Sequence, residues 1–221
     1  MRSSPCFLMK AFLRLFFRLL YHQFAFTYDL VAAAVSFNRW KDWVGEVLPF
    51  IDGRRVLELG HGPGHLQRIL LSRGLAAVAI DESSHMGLLA RRNTRGSARL
   101  ARGLAQTLPF SGGAFDTIVS TFPTEYIFDP VTLSEARRCL SDGGRLIVLP
   151  VAMPKNRFLE WLYRVMGESP SDAEAVVKRK LLTPFMKAGF QTELQVIDVQ
   201  SSRLFIILAR RTHVEQITGA G

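Results

Sequence analysis

The sequence predicts an α/β fold built on an open, mostly parallel sheet, and three observations carry that expectation. First, Val56-Leu57-Glu58-Leu59 is a short apolar run suited to a buried strand. It closes on a loop with glycine at every second position, Gly60, Gly62 and Gly64, before Leu66 to Leu71 resumes with helical spacing. Second, Leu75 to Ile80 reads as another buried strand and ends at Asp81. Third, Ala114 to Ser120 leads into a strand, and Glu135 to Val148 reads as helix, turn and strand. Strands alternating with helices in this way belong to a parallel sheet. The carboxyl end of a central strand is where such sheets bind nucleotide-like ligands.

The loop chemistry narrows the ligand. Glycine permits positive φ, and its missing side chain lets a ligand approach the backbone. A dinucleotide fingerprint needs a third glycine at the sixth position, and counting from Gly60 that position is His65. A phosphate-cradling loop ends in Gly-Lys-Ser/Thr, and no lysine is present here. What remains is acidic-x-Gly-x-Gly-x-Gly, and that pattern resembles the S-adenosylmethionine (SAM) loop of class I methyltransferases. Asp81-Glu82-Ser83-Ser84-His85-Met86 matches the same family's Asp-x-Ser-x-x-Met pattern. Taken singly, Asp81 reads equally well as a helix cap, and Met86 as core filler. Their joint spacing from the glycine loop favours the cofactor reading.

Further matches follow in family order. Leu108-Pro109-Phe110 with Phe115-Asp116-Thr117-Ile118-Val119-Ser120 resembles the block leading into the fourth strand. Glu135-Ala136-Arg137-Arg138-Cys139-Leu140-Ser141-Asp142-Gly143-Gly144 resembles the helix and turn before the fifth, with the double glycine expected to give a sharp helix exit. The resemblance runs from about Arg54 to Val151 and is closest to the ubiquinone/menaquinone-biosynthesis type of small-molecule methyltransferase. It implies a Rossmann-like sheet of seven strands, mostly parallel, with an antiparallel last strand. It also implies SAM as cofactor, held by Glu58, Gly60, His61, Gly62, Gly64, Asp81, Glu82 and Met86. In that scheme Glu58 orients the loop and the ammonium, Asp81 accepts the ribose hydroxyls, and Met86 lies beside the adenine. One position departs from the pattern: Leu104 stands where many relatives carry an aspartate that bonds the adenine amino group. Leu104, Ala105 and Gln106 are then expected to hold the adenine by apolar and backbone contact.

A chain of 221 residues suits one domain with a sizeable core. The expected organisation is amphipathic and lid helices over 1–50, a methyltransferase domain over 51–211 and a flexible tail over 212–221. Within the domain a helix is expected at 156–166 and another at 172–188. A closing hairpin is expected over 190–199 and 203–209. Net charge is +9, while hydrophobic residues make up 48% and charged ones only 21%. That balance points to anionic partners such as a phospholipid surface. The run Arg91, Arg92, Arg95, Arg99 and Arg102 reads better as a solvated face than as an RNA site. No Asn/Asp-Pro-Pro-aromatic motif follows the fourth strand, where Ser120-Thr121-Phe122-Pro123 stands, which disfavours nucleic-acid bases as acceptors. Cys6 and Cys139 fit no metal spacing, so no metal is expected; two unpaired cysteines point to the reducing cytoplasm.

In the segment before residue 27, Lys10, Arg14, Arg18 and His22 recur every fourth residue along a broad Phe/Leu face. A membrane span needs ~20 apolar residues, and here cations interrupt every turn. A helix lying in the interface, its cations towards anionic headgroups, fits this pattern. Packing of the helix on the domain or on a second subunit stands as the other reading. Tyr28-Asp29-Leu30 and Ser36 to Trp43 resemble the family's entry segment, which covers the cofactor and forms the substrate mouth.

Methyl transfer needs chiefly positioning and exclusion of water, with a general base only where the acceptor must lose a proton early. Tyr28, His61 and Tyr126 are the leading candidates, with His22 and Glu125 behind them. The expectation is a SAM-dependent methyltransferase acting on a hydrophobic acceptor, lipid or quinone-like, on the cytoplasmic membrane face. The alternatives are a soluble natural-product O- or N-methyltransferase whose N-terminal helix is a lid or dimer contact, and a non-catalytic membrane-binding module.

Overall fold

The computed structural model describes residues 43–154, 170–200 and 202–212. The cationic helix expected before residue 27, the entry segment with Tyr28 and Trp40, the helix expected at 156–166 and the tail beyond 212 lie outside the described residues. A 3₁₀ turn, Val44–Phe50, leads into the sheet. The strands are β1 (Arg55–Leu59), β2 (Ala76–Asp81), β3 (Arg99–Arg102), β4 (Phe115–Thr121), β5 (Leu140–Pro154), β6 (Phe190–Val199) and β7 (Ser202–Arg211). The helices are α1 (His65–Ser72), α2 (Ser84–Asn93), α3 (Pro130–Cys139) and α4 (Pro170–Lys187).

The seven strands lie in the order β3-β2-β1-β4-β5-β7-β6. Pairing is parallel from β3 to β5, and β7 runs antiparallel to both β5 and β6. The reversed strand is thus the last in sequence but not the edge of the sheet. The pleat sorts the core into two layers, as a period of two requires. Leu57, Leu59, Ile118, Leu146 and Val148 face one cluster with Leu133 and Phe185. Val56, Val119, Ile147 and Leu149 face the other with Leu66 and Leu70. A slip of one residue would exchange these faces, so the register is firmly specified.

Two local readings need correction. The double glycine does not end α3, which exits at Leu140 in extended conformation. Leu140 already pairs with Phe115, and the register then shifts before Thr117 pairs with Arg145. Gly143 (φ 74°) and Gly144 therefore form an irregularity inside β5. A Cβ on Gly144 would stand 2.9 Å from the carbonyls of Asp116 and Ser141, which is why glycine is needed there. The arginine run is also not simply helix and loop, because Arg99–Arg102 is the edge strand β3. Arginines at both its ends suit an edge, where charge discourages pairing with another chain.

At the amino end of the sheet, away from the site, Asp116 accepts from the backbone amides of Arg54 (3.1 Å) and Arg55 (3.0 Å). It also pairs with the Arg55 guanidinium at 2.5 Å, and that bond holds its carboxyl down at about 2. Across α3, Arg138 donates to the carbonyls of Leu108 (3.0 Å) and Phe110 (2.7 Å). Glu135, paired with Arg138 at 2.7 Å, accepts from the Leu108 amide at 2.9 Å. The Leu-Pro-Phe segment and the helix motif are therefore one clamp, although more than twenty residues separate them in sequence.

Candidate functional site

The site grows out of the carboxyl end of β1. After Leu59 the chain turns sharply: Gly60, Gly62 and Gly64 have φ of 69°, 49° and 81°. The turn is cross-linked to β2, with the Gly60 amide donating to the Ile80 carbonyl at 2.8 Å and the Gly62 amide to Asp81 Oδ2 at 2.9 Å. Each glycine answers a different demand. A Cβ on Gly60 would collide with the Tyr126 hydroxyl, and one on Gly64 would stand 2.9 Å from the Ala90 Cβ of α2. At Gly62 nothing lies within 4 Å of that direction, so its missing side chain leaves open space. Of the three, Gly62 is the one whose missing Cβ keeps clear the space where a ligand can approach.

A small cleft of about 30 Å³ lies here, lined by Val44, Glu58, Gly60, His61, Gly62, Pro63, His65, Leu66 and Thr121. Glu58 is buried in its wall, 1% exposed, and accepts from Gln67 Nε2 at 2.8 Å. Burial pushes its carboxyl up to about 8, against the Gln67 bond, which lowers it; the nearby Asp81 charge raises it further. Gln67 was not foreseen from the sequence. It sits on the buried face of α1 with Leu66 and Leu70, and a polar residue at a core position was the available signal.

Asp81 does not cap α2. Ser83 does, accepting from the Met86 amide at 3.3 Å. Asp81 Oδ1 instead accepts from the Ser83 amide at 2.9 Å, so each carboxylate oxygen is fixed by one backbone N–H. Lone pairs remain on both oxygens for further donors. Glu82 is exposed, and its carbonyl accepts from Arg102 Nε at 3.0 Å. Met86 is half-buried, while Leu104 is 48% exposed. Gly103 packs against Ile80, and its amide donates to the Asp81 carbonyl at 3.1 Å. Leu104 and Ala105 follow directly, beside the end of β2. Gln106 Nε2 donates to Asp129 Oδ2 at 3.1 Å, which ties the loop to the head of α3 and leaves its second N–H and its carbonyl for a ligand.

The three candidate bases fare differently. Tyr28 lies outside the described residues. The Tyr126 hydroxyl donates to the Leu59 carbonyl at 3.1 Å and lies 3.0 Å from Ser120 Oγ, under Gly60. Burial pushes it up to about 12, so it braces the turn and is a poor proton acceptor. His61 lines the cleft, with Nδ1 2.7 Å from the Gly62 carbonyl. Only an Nδ1–H can satisfy that carbonyl, which leaves the lone pair on Nε2. Phe122, just past β4, has φ of 50°, unusual for a bulky residue, and packs against Trp43 at 6.1 Å between ring centroids. Trp43 directly precedes Val44 in the cleft wall.

Fold and cleft together define an open-sheet α/β protein with a nucleoside-type site at the end of its first strand. A methyltransferase domain family matches residues 57–148. The ubiquinone/menaquinone biosynthesis C-methyltransferase of Teredinibacter turnerae is 30% identical over 155 residues, 65% of this chain and 62% of that protein. The demethylmenaquinone methyltransferase of Thermus thermophilus is 32% identical over 155 residues, 66% of this chain and 70% of that protein. A solved structure from Thermotoga maritima, described as a possible histamine N-methyltransferase, superposes with a TM-score of 0.56 at 19% identity. It covers 92% of this chain and 97% of its own. The chain belongs to the class I SAM-dependent methyltransferase family, in the group of the ubiquinone and menaquinone enzymes. It spans a little under two thirds of the length of the Teredinibacter protein.

The residues present fit the family's cofactor, S-adenosyl-L-methionine. A buried carboxyl with no cationic partner among the described residues stands beside open space at Gly62, with a second carboxylate fixed at the end of β2.

The raised Glu58 pKa has a consequence for stability. In the unfolded chain a glutamate ionises near 4.5, but in the fold only near 8. Between these values the unfolded state loses its proton first, so stability is full at pH 4.5 and below and falls as pH rises through 8. At ~1.4 kcal/mol per unit, the loss reaches several kcal/mol. Glu58→Gln is expected to flatten the decline of Tm between pH 5 and 9 in the cofactor-free protein. An unchanged slope would show that Glu58 ionises normally.

Proposed function

We propose that this protein transfers the methyl group of SAM to a hydrophobic acceptor, a lipid or quinone-like molecule, at the cytoplasmic face of the membrane. The observation that carries the methyl-donor half is the cleft itself: Glu58 buried in its wall, Gly62 open to it, and Asp81 at its edge. Glu58 takes the ammonium, Gly62 provides room along the amino-acid chain, Asp81 accepts ribose hydroxyls, and Met86, Leu104 and Ala105 offer apolar contact to adenine. The cofactor supplies a methyl already activated on a sulfonium. The protein holds the acceptor in line, keeps water out with Val44, Trp43 and Phe122, and removes a proton where the acceptor demands it. His61 Nε2 is the acceptor for that proton.

The hydrophobic acceptor is supported by the relatives, a demethylmenaquinone methyltransferase and a C-methyltransferase of ubiquinone and menaquinone biosynthesis. Membrane action is supported by the sequence before residue 27, with its cationic stripe and broad Phe/Leu face. No helix among the described residues is long and apolar enough to cross a membrane. An interfacial helix draws most of its attraction from apolar burial, with ~1 kcal/mol from each cation near an anionic surface.

The test is incubation with methyl-labelled SAM and a membrane lipid extract, and the expected label appears in an extractable apolar product. Label confined to water-soluble acceptors would overturn the hydrophobic-acceptor reading. Arg14→Glu with Arg18→Glu is expected to weaken co-sedimentation with anionic vesicles at least tenfold, and with neutral ones much less. Deleting residues 1–20 is expected to leave SAM binding intact and reduce turnover of the bilayer-resident acceptor. A protein that stays in the supernatant with anionic vesicles at low salt, and whose dimer is lost on truncation, would make the helix an oligomer contact.

A further inference from the structure

The cleft wall contains a polar pair that the methyl-transfer scheme leaves unexplained. Gln67 is fully buried in α1, and its Nε2 meets Glu58 Oε2 at 2.8 Å. Its Oε1 is buried with no hydrogen-bond partner among the described residues. A buried amide oxygen without a partner is costly, so its retention needs a reason. Because among the described residues only Glu58 orients this amide, rotating it by half a turn breaks no other bond described. In one orientation N–H donates to a carboxylate. In the other the amide carbonyl accepts from a carboxylic acid. A leucine or methionine at this position would satisfy neither state, and a charged residue would favour only one.

We propose that Gln67 is a positioning residue that lets Glu58 pass from acid to carboxylate as the cofactor's ammonium arrives, so that one proton leaves the site with each cofactor bound. In this step the Glu58 O–H bond breaks, the proton goes to solvent, and the new carboxylate pairs with the ammonium. The proposal rests on the methyl-donor reading above. The free site keeps Glu58 protonated at neutral pH because burial and the Asp81 charge both oppose ionisation. The other titratable groups around it are Tyr126 beneath the turn, and His61 and His65 in the cleft wall. From the 3₁₀ turn and β4 its neighbours are Val44 and Thr121, which do not titrate.

Calorimetry of the full chain at pH 7, in phosphate and in Tris, counts the protons. SAM is expected to release close to one proton, and 5′-methylthioadenosine, which lacks the ammonium, none. SAM affinity is expected to rise about tenfold per pH unit up to pH ~8 and then level off. In Gln67→Met the levelling is expected about one unit higher, with affinity at pH 7 about tenfold lower and methylthioadenosine affinity unchanged. A heat of SAM binding free of buffer dependence overturns the proposal, as does a Gln67→Met profile superimposable on the parent's. If Gln67→Met does not fold, the proton count in the parent protein decides. If neither ligand binds, the methyl-donor reading itself fails, and this proposal with it.

Discussion

Gly62→Val is expected to abolish SAM binding while leaving the sheet folded. At this position a Cβ would meet no atom of the described residues within 4 Å beyond its chain neighbours, so no clash with the described fold accounts for the effect. The side chain would instead stand in the cleft beside Glu58 and His61. A β-branched residue also strains at φ near 49°, where the left-handed conformation costs roughly 1–2 kcal/mol. Its neighbours offer an internal contrast. Gly64→Ala presses against Ala90 and is expected to destabilise the packing of α1 on α2 before it touches a ligand. Calorimetry with SAM, beside a thermal melt of each variant, separates the two effects. A folded Gly62→Val protein with parental affinity would place the cofactor elsewhere.

Asp81→Ala carries the second large effect. Two backbone amides, Gly62 and Ser83, lose their acceptor, and the ribose hydroxyls lose theirs. A charge-assisted hydrogen bond is worth roughly 1.5–3 kcal/mol, so SAM affinity is expected to fall about ten- to hundredfold. The loop also loses its tie to β2, and Tm should fall with the affinity. Undiminished SAM affinity in a folded Asp81→Ala protein would remove Asp81 from the site.

Some of this architecture was readable from residues, and some was not, for identifiable reasons. The alternation of glycines after Leu59 and the apolar run into Asp81 are local signals, and they located β1, β2 and the turn between strand and helix. The closing hairpin was equally legible from its alternation, as was the helix stopped at Gly189. Strand β3 was hidden because arginine at both its ends imitates a solvated loop. The pairing with β2 that makes it a strand is a tertiary fact. Gly143 and Gly144 looked like a helix exit, yet Gly143 meets the need for a positive φ inside β5, and Gly144 the closeness of the Asp116 and Ser141 carbonyls. Sequence likewise cannot say that Tyr126 turns beneath Gly60, or that Gln106 is spent on Asp129. Gln67 was visible only as one polar letter on an apolar helix face. Its meaning depends on Glu58, nine residues earlier on a different element.

The placement of β7 has a consequence for how the protein is made. The last of the described strands to be synthesised is wedged between β5 and β6, so these strands cannot pair in the order in which they emerge. Until residue 211 has cleared the ribosome, β5 offers an open edge to any passing strand, and β6 has no neighbour to hold it. At translation speeds of ~5–20 residues per second, and with the length of the exit tunnel still to be traversed, that exposure lasts on the order of seconds. The first four strands and their glycine turn can pair in that interval, so the cofactor end is built while the other half of the sheet waits. A stalled or truncated chain that lacks β7 is expected to engage chaperones through β5.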